Sequence, residues 1–252
     1  MRSTATRFED DEKLLEAAVK ANDSPFTTYL ISPWSKHLAR FAARRGWTPN
    51  ALTVASLSVG VAAASSFAVG TRASLIAGAA LLQLSFVLDC VDGQLARYTR
   101  TSSTLGAWLD AVFDRLKEYL VYGGLAVGAT RGFDDDVWLL AAAALAIQTV
   151  RHLADFSYVA RSERPDSARS AGAAPVGVPP EAPSWLRRGN QLIRLPIGER
   201  LALISVTAAI ASPRVTFVAL VVWGGVGAAY AFGVRTVLSA SSRARLLRLA
   251  PK

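Results

Sequence analysis

Six apolar runs, at about 50–69, 73–95, 105–128, 136–159, 198–211 and 214–237, constrain this chain more than any other feature of its sequence. A helix needs about 20 apolar residues to cross a bilayer, and a backbone in hydrocarbon must satisfy its own hydrogen bonds, so runs of this kind fold as membrane helices. With 52% hydrophobic residues and a mean hydropathy of +0.29, the chain is expected to be an all-α integral membrane protein with six transmembrane helices. The fifth run is the short one. Its uninterrupted core, Leu201 to Ala211, falls below the length of a perpendicular crossing, and either Leu195-Pro-Ile-Gly lengthens it or it lies in the interface.

An amphipathic helix is expected ahead of the first span. Trp34, Leu38 and Phe41 recur at helical spacing after Pro33, while Lys36, His37, Arg40, Arg44 and Arg45 take the other faces, the pattern of a helix lying in the membrane interface. Gly46 ends it, and Thr48-Pro49-Asn50 starts the first span. The expected organisation is a cytoplasmic N-terminal segment, 1–48, a six-span domain, 49–237, with a flexible cytoplasmic loop at 161–197, and a basic tail, 238–252. Residues 11–22 read as a short solvated helix. The loop is rich in Pro, Ser, Ala and Gly, and 185–194 reads as a second interfacial segment. Residues 1–24 are polar, so no cleavable signal peptide is expected.

Charge sets the orientation. With a cytoplasmic N-terminus and six crossings, only Arg72, Arg131 and Arg214 of the 28 Lys and Arg face outward, which by the positive-inside rule puts both termini in the cytoplasm. Asp134-Asp-Asp136 then forms an outward loop. The net charge of +9 is explained by anionic lipid headgroups, and no nucleic acid partner is expected. The single cysteine, Cys90, excludes an intramolecular disulfide and a thiol metal cluster.

Chemistry concentrates between residues 89 and 114. Asp89 and Asp92 are three apart and Asp110 and Asp114 four apart, so on helices each pair shares a face. Two such helices packed face to face would gather four carboxylates beside a bilayer, an arrangement that requires cations. An all-oxygen ligand set favours Mg²⁺, Mn²⁺ or Ca²⁺ over zinc. These residues lie at the cytoplasmic ends of the second and third spans.

The full spacing is D-x2-D-G-x2-A-R-x8-G-x3-D-x3-D, and here the chain resembles the CDP-alcohol phosphotransferase family at all eight fixed positions. The resemblance implies transfer of a phosphate-linked group, commonly phosphatidyl from CDP-diacylglycerol, to the hydroxyl of a second alcohol, with release of CMP. It implies two divalent ions, Mg²⁺ or Mn²⁺, held by Asp89, Asp92, Asp110 and Asp114, with Asp114 also the base for the acceptor hydroxyl. It places the CDP-alcohol at Asp92, Gly93, Ala96, Arg97 and Gly106: small residues admit the nucleotide, and Arg97 can grip the diphosphate bidentately. Gly106 is expected to let the third span pack closely on the second. Homodimers in the cell membrane are implied as well.

Asp114-Arg115 and the basic cytoplasmic rim resemble the branch of the family that uses inositol phosphate or related polyol phosphates. Glycerol phosphate and serine stay open as acceptors, and a soluble donor of the CDP-inositol type stays open beside the lipid. Arg115, Arg151 and His152 are candidate acceptor contacts. Arg115 with Glu118 reads equally as a structural ion pair, and Lys117 is expected to snorkel. Readings from other classes are a metal-ion transporter using the intramembrane carboxylates and a non-catalytic lipid-binding relative.

Overall fold

The structure is a computed structural model and describes residues 12–19, 24–162, 193 and 195–249. Among them every regular element is helical: α1 (12–18), a π-helical turn (Thr27–Ile31), α2 (Ser32–Arg44), α3 (Pro49–Val69), α4 (Arg72–Tyr98), α5 (Thr104–Gly132), α6 (Trp138–Ser162), α7 (Ile197–Ile210) and α8 (Pro213–Leu249). The expected interfacial segment 185–194 and most of the loop 161–197 lie outside the described residues, as do 1–11 and 250–252.

The helix starts follow local chemistry. Thr48 caps α3 by accepting from the Ala51 amide at 3.3 Å, with Pro49 at the first helical position. Thr71 and Ser74 cap α4 reciprocally, at 3.2 and 3.0 Å. Ser103 caps α5 through the Gly106 amide at 3.0 Å.

Among the described residues, four helical stretches are long and apolar enough to cross a membrane: Pro49–Val69, Arg72–Tyr98, Trp138–Ser157 and Pro213–Val234. The other two of the six expected spans differ for separate reasons. α5 has the length, at 29 residues, but its first half carries Asp110, Asp114, Arg115, Lys117 and Glu118. α7 has only 14 residues, about 21 Å of helix at about 1.5 Å per residue. The expected amphipathic segment does form a helix, α2, whose Trp34, Leu38 and Phe41 are exposed. α8 runs to Leu249, well into the expected tail, because 238–249 is rich in Ala, Leu and Arg with no Gly or Pro to stop it.

α3 is the common partner of the site helices. α4 and α5 each pack extensively on α3 and barely touch one another, so the expected face-to-face packing of the second and third spans is not what gathers the carboxylates. The α3–α5 seam is a run of glycines. A Cβ added at Gly124, Gly128 or Gly132 would stand 2.2, 2.0 or 1.9 Å from the carbonyl oxygens of Ala64, Phe67 and Gly70, so only glycine permits this approach. Gly70, at φ +79°, also closes α3 in the left-handed conformation. α7 packs on α4, and α8 on α6 and α7.

At the end of the molecule away from the site, Arg72 donates to the last carbonyls of α7, Ala211 at 2.8 Å and Ile210 at 3.2 Å. Arg214 chelates Asp135, with Nε at 2.7 and 2.9 Å from its two oxygens. Two of the three arginines expected on one membrane side thus tie together the helix ends at that side.

Candidate active site

Because α4 and α5 lean on α3 and not on each other, a cavity of about 330 Å³ is left between the C-terminal half of α4 and the start of α5. All eight motif residues line it: Asp89, Asp92, Gly93, Ala96, Arg97, Gly106, Asp110 and Asp114. α3 contributes Pro49, Asn50 and Thr53, and Thr27 and Ile197 reach it from the π-helical turn and α7.

Within the cavity, Asp89, Asp92 and Asp110 bring one carboxylate oxygen each to within 4.8 Å of one another. Three hard oxygen donors at that separation form a donor set suited to a divalent cation. Asp92 is buried, and Thr53 Oγ1 donates to its Oδ2 at 2.6 Å, which fixes the rotamer from α3. Asp114 stands apart from the trio. Its Oδ1 lies 3.0 Å from Lys117 Nζ, and the same ammonium contacts Asp89 Oδ1 and donates to Ser56 Oγ at 3.0 Å. Lys117 therefore does not snorkel. It is buried, because Asp89 and Asp114 offer its charge nearer partners than the interface does.

Arg97 folds back along its own helix. A Cβ on Gly93 would stand 3.3 Å from its Nη1, and its Nε donates to the Ala18 carbonyl at 2.5 Å, so α1 reaches the guanidinium. Gly106 faces α3 and not the second span: its Cβ would meet Asn50 Oδ1 at 3.2 Å.

The candidate acceptor residues do not line this cavity. Arg115 pairs with Glu118, and Glu118 in turn meets Arg200 at 2.7 Å from α7. With its oxygen turned toward its neighbours, the Gln148 amide accepts from His152 Nε2 at 2.7 Å and Arg200 Nη2 at 3.1 Å. Arg115, Arg200 and Arg151 all lie near enough to His152 to act on it electrostatically. The result is a second, cationic cluster beyond the carboxylates, built from α5, α6 and α7.

Sequence reasoning missed Thr53, Ser56 and the placement of Lys117. A signal existed: Thr53, Ser56 and Gly60 lie at i, i+3 and i+7 of an otherwise apolar span and so share one face.

Residues 47–222 match the family described as CDP-alcohol phosphatidyltransferase. An archaetidylinositol phosphate synthase of Aeropyrum pernix is 38% identical over 90 residues, 36% of this chain and 45% of that protein. A phosphatidylinositol phosphate synthase of Streptomyces avermitilis is 31% identical over 112 residues, 44% of this chain and 43% of that protein. The matched part thus spans less than half the length of either relative. The crystal structure of a Mycobacterium tuberculosis phosphatidylinositol phosphate synthase with CDP-DAG bound superposes with a TM-score of 0.57 at 22% identity, covering 81% of this chain and 92% of that one. A second structure of that enzyme, in complex with manganese and citrate, gives 0.52 at 24% identity over 79% and 88%. These establish a shared fold.

Proposed function

The chain belongs to the CDP-alcohol phosphatidyltransferase family, and on that premise we propose that it transfers a phosphatidyl group from CDP-diacylglycerol to the hydroxyl of an inositol phosphate, releasing CMP. The observation that carries this reading is the single cavity that gathers all eight motif residues. Asp89, Asp92 and Asp110 would hold the divalent cation, Mg²⁺ or Mn²⁺, with Thr53 fixing Asp92 from α3. Bound there, a divalent ion neutralises the diphosphate and charge developing on the leaving CMP.

The chain's own residues supply the rest. Gly93 and Ala96 leave room for the nucleotide against α4, and Arg97 pairs with the diphosphate, exchanging or sharing its bond to the Ala18 carbonyl. The acceptor oxygen attacks the phosphatidyl phosphorus, the bond from that phosphorus to the CMP oxygen breaks, and the hydroxyl proton passes to Asp114. Lys117 holds Asp114 in place at 3.0 Å, and the carboxylate would take the proton late, from a hydroxyl already held in line. The phosphate of the acceptor would lie against Arg115, Arg151 and His152. The names of the relatives, synthases of inositol phosphate lipids, favour that acceptor. Lys117 and Arg97 among the carboxylates argue against a cation pathway, and so against a transporter.

We place α3 to α8 across the bilayer as six crossings with α2 in the cytoplasmic interface of the plasma membrane, and the site and both termini in the cytoplasm. A homodimer is part of the same reading. The test is CMP release by the purified protein in lipid with CDP-diacylglycerol and Mg²⁺, across inositol phosphate, glycerol phosphate, inositol and serine, with Asp114→Asn as control. Release with inositol phosphate that the control abolishes is expected. Silence with every acceptor, and with CDP-inositol as donor, would overturn the proposal.

A further inference from the structure

Lysine on a membrane helix ordinarily stretches its stem toward the interface. Lys117 points inward and is 6% exposed. Its stem crosses to α3 through a slot that exists because residue 60 is glycine: a Cβ there would lie 2.9 Å from Lys117 Cγ and 3.1 Å from Cδ. At the end of the slot Nζ meets Asp89 of α4, Asp114 of α5 and Ser56 of α3. Ser56 is itself fixed, donating to the Ser85 carbonyl at 2.9 Å. Three helices therefore converge on one ammonium.

That ammonium divides the carboxylates. Asp89, Asp92 and Asp110 converge on one point, whereas Asp114 stands with Lys117, and Asp89 belongs to both groups. A divalent ion bound between Asp89 and Asp114 would need their oxygens at about 2.0–2.6 Å. It would then compete with an ammonium already held by the same two carboxylates, and the two cations would repel each other. Resting on the metal-dependent reading above, we propose that Lys117 is a built-in cation of this site, a positioning residue that joins Asp89 to Asp114 and takes the place of a second divalent ion. The chain then loads one ion, at Asp89, Asp92 and Asp110, in place of the two implied by the motif.

The test is titration of the full-length protein in lipid nanodiscs with Mn²⁺, read by calorimetry and by electron paramagnetic resonance. The wild type is expected to take up one Mn²⁺ per chain with the spectrum of an isolated ion. Lys117→Met, which keeps the bulk of the stem and removes the charge, should take up a second and show the broadening of a coupled pair. Lys117→Arg should stay at one. Lys117→Gln replaces Lys117→Met if that variant does not fold. Two ions in the wild type would overturn the inference and leave the metal-dependent reading standing. One ion in both the wild type and Lys117→Met would overturn it too, since the ammonium would not be what sets the count. No ion in the wild type would overturn the metal-dependent reading and the inference together.

Discussion

Arg200 Nε lies 2.7 Å from Glu118 Oε1, and each side chain is 3% exposed. The pair joins α7 to α5, two helices whose backbones otherwise make little contact, and Arg115 shares the same carboxylate. Removing one partner of a buried ion pair strands the other charge, at a cost of about 3–5 kcal/mol. Glu118→Ala is therefore expected to lower the melting temperature in detergent sharply. The double change Glu118→Leu with Arg200→Leu strands only Arg115, whose side chain is 25% exposed and can reach water, and should recover part of the loss.

Asp110 joins Asp89 and Asp92 in the convergent trio. Asp110→Asn keeps the shape and removes a negative charge, so CMP release should fall by about 100-fold or more while the melting temperature holds or rises, since like-charge repulsion is relieved. Activity near the wild-type level at the same Mg²⁺ concentration would contradict the assignment of Asp110 as a ligand.

Arg97→Lys keeps the charge and loses the planar fork. It also loses the Nε bond to the Ala18 carbonyl, so α1 would be held less firmly. Steady-state kinetics should show the KM for CDP-diacylglycerol raised about 10-fold with a smaller change in kcat. An unchanged KM would count against a role on the diphosphate.

The glycine seam admits a sharp test of packing. Gly128→Ala puts a methyl 2.0 Å from the Phe67 carbonyl oxygen, which no rotamer relieves, and overpacking of this kind costs about 1–3 kcal/mol or more. Yield of folded protein should drop steeply. Gly123→Ala, on the same helix with open space around it, should be neutral or slightly stabilising through helix propensity.

Asp135 is held below the ordinary carboxylate range first by the hydrogen bond from Arg214 and then by that guanidinium's charge. A depressed folded value means the contribution is complete above the unfolded value near 3.8 and is lost as pH falls through the folded one. The difference in melting temperature between wild type and Asp135→Asn should thus be present at pH 6 and shrink below about pH 4. The pair is exposed, so the difference should be small and weaken further in high salt.

The eight residues at the cavity were legible from sequence because the reaction fixes their types and spacing: carboxylates for a cation, small residues for a close nucleotide. The residues that hold them were not. Thr53 and Ser56 act through space from a different helix, and nothing local to α3 announces which aspartate it will face. Lys117 illustrates the limit. A lysine two residues short of a tyrosine in an apolar run reads as an interface anchor, and only the empty side of Gly60 turns it inward. Helix existence was legible through apolar runs, yet α5, read as a span like α3, is less apolar than α3 because its first half carries the chemistry. The association of α4 and α5 through α3 was not legible, since the spacing of Gly124, Gly128 and Gly132 tells that α5 packs closely but not on what.

At Gly124, Gly128 and Gly132, three successive turns, the seam between α3 and α5 is backbone lying on backbone, with no side chain between to rearrange. A contact of that kind cannot loosen by degrees through rotamer exchange as a leucine-filled interface does; the helices are either in register or apart. The placement of α5 on α3, and with it of Asp110 and Asp114, consequently lasts as long as the seam does. On heating, catalysis should hold its geometry up to the cooperative transition and end with it, with no gradual loss beforehand.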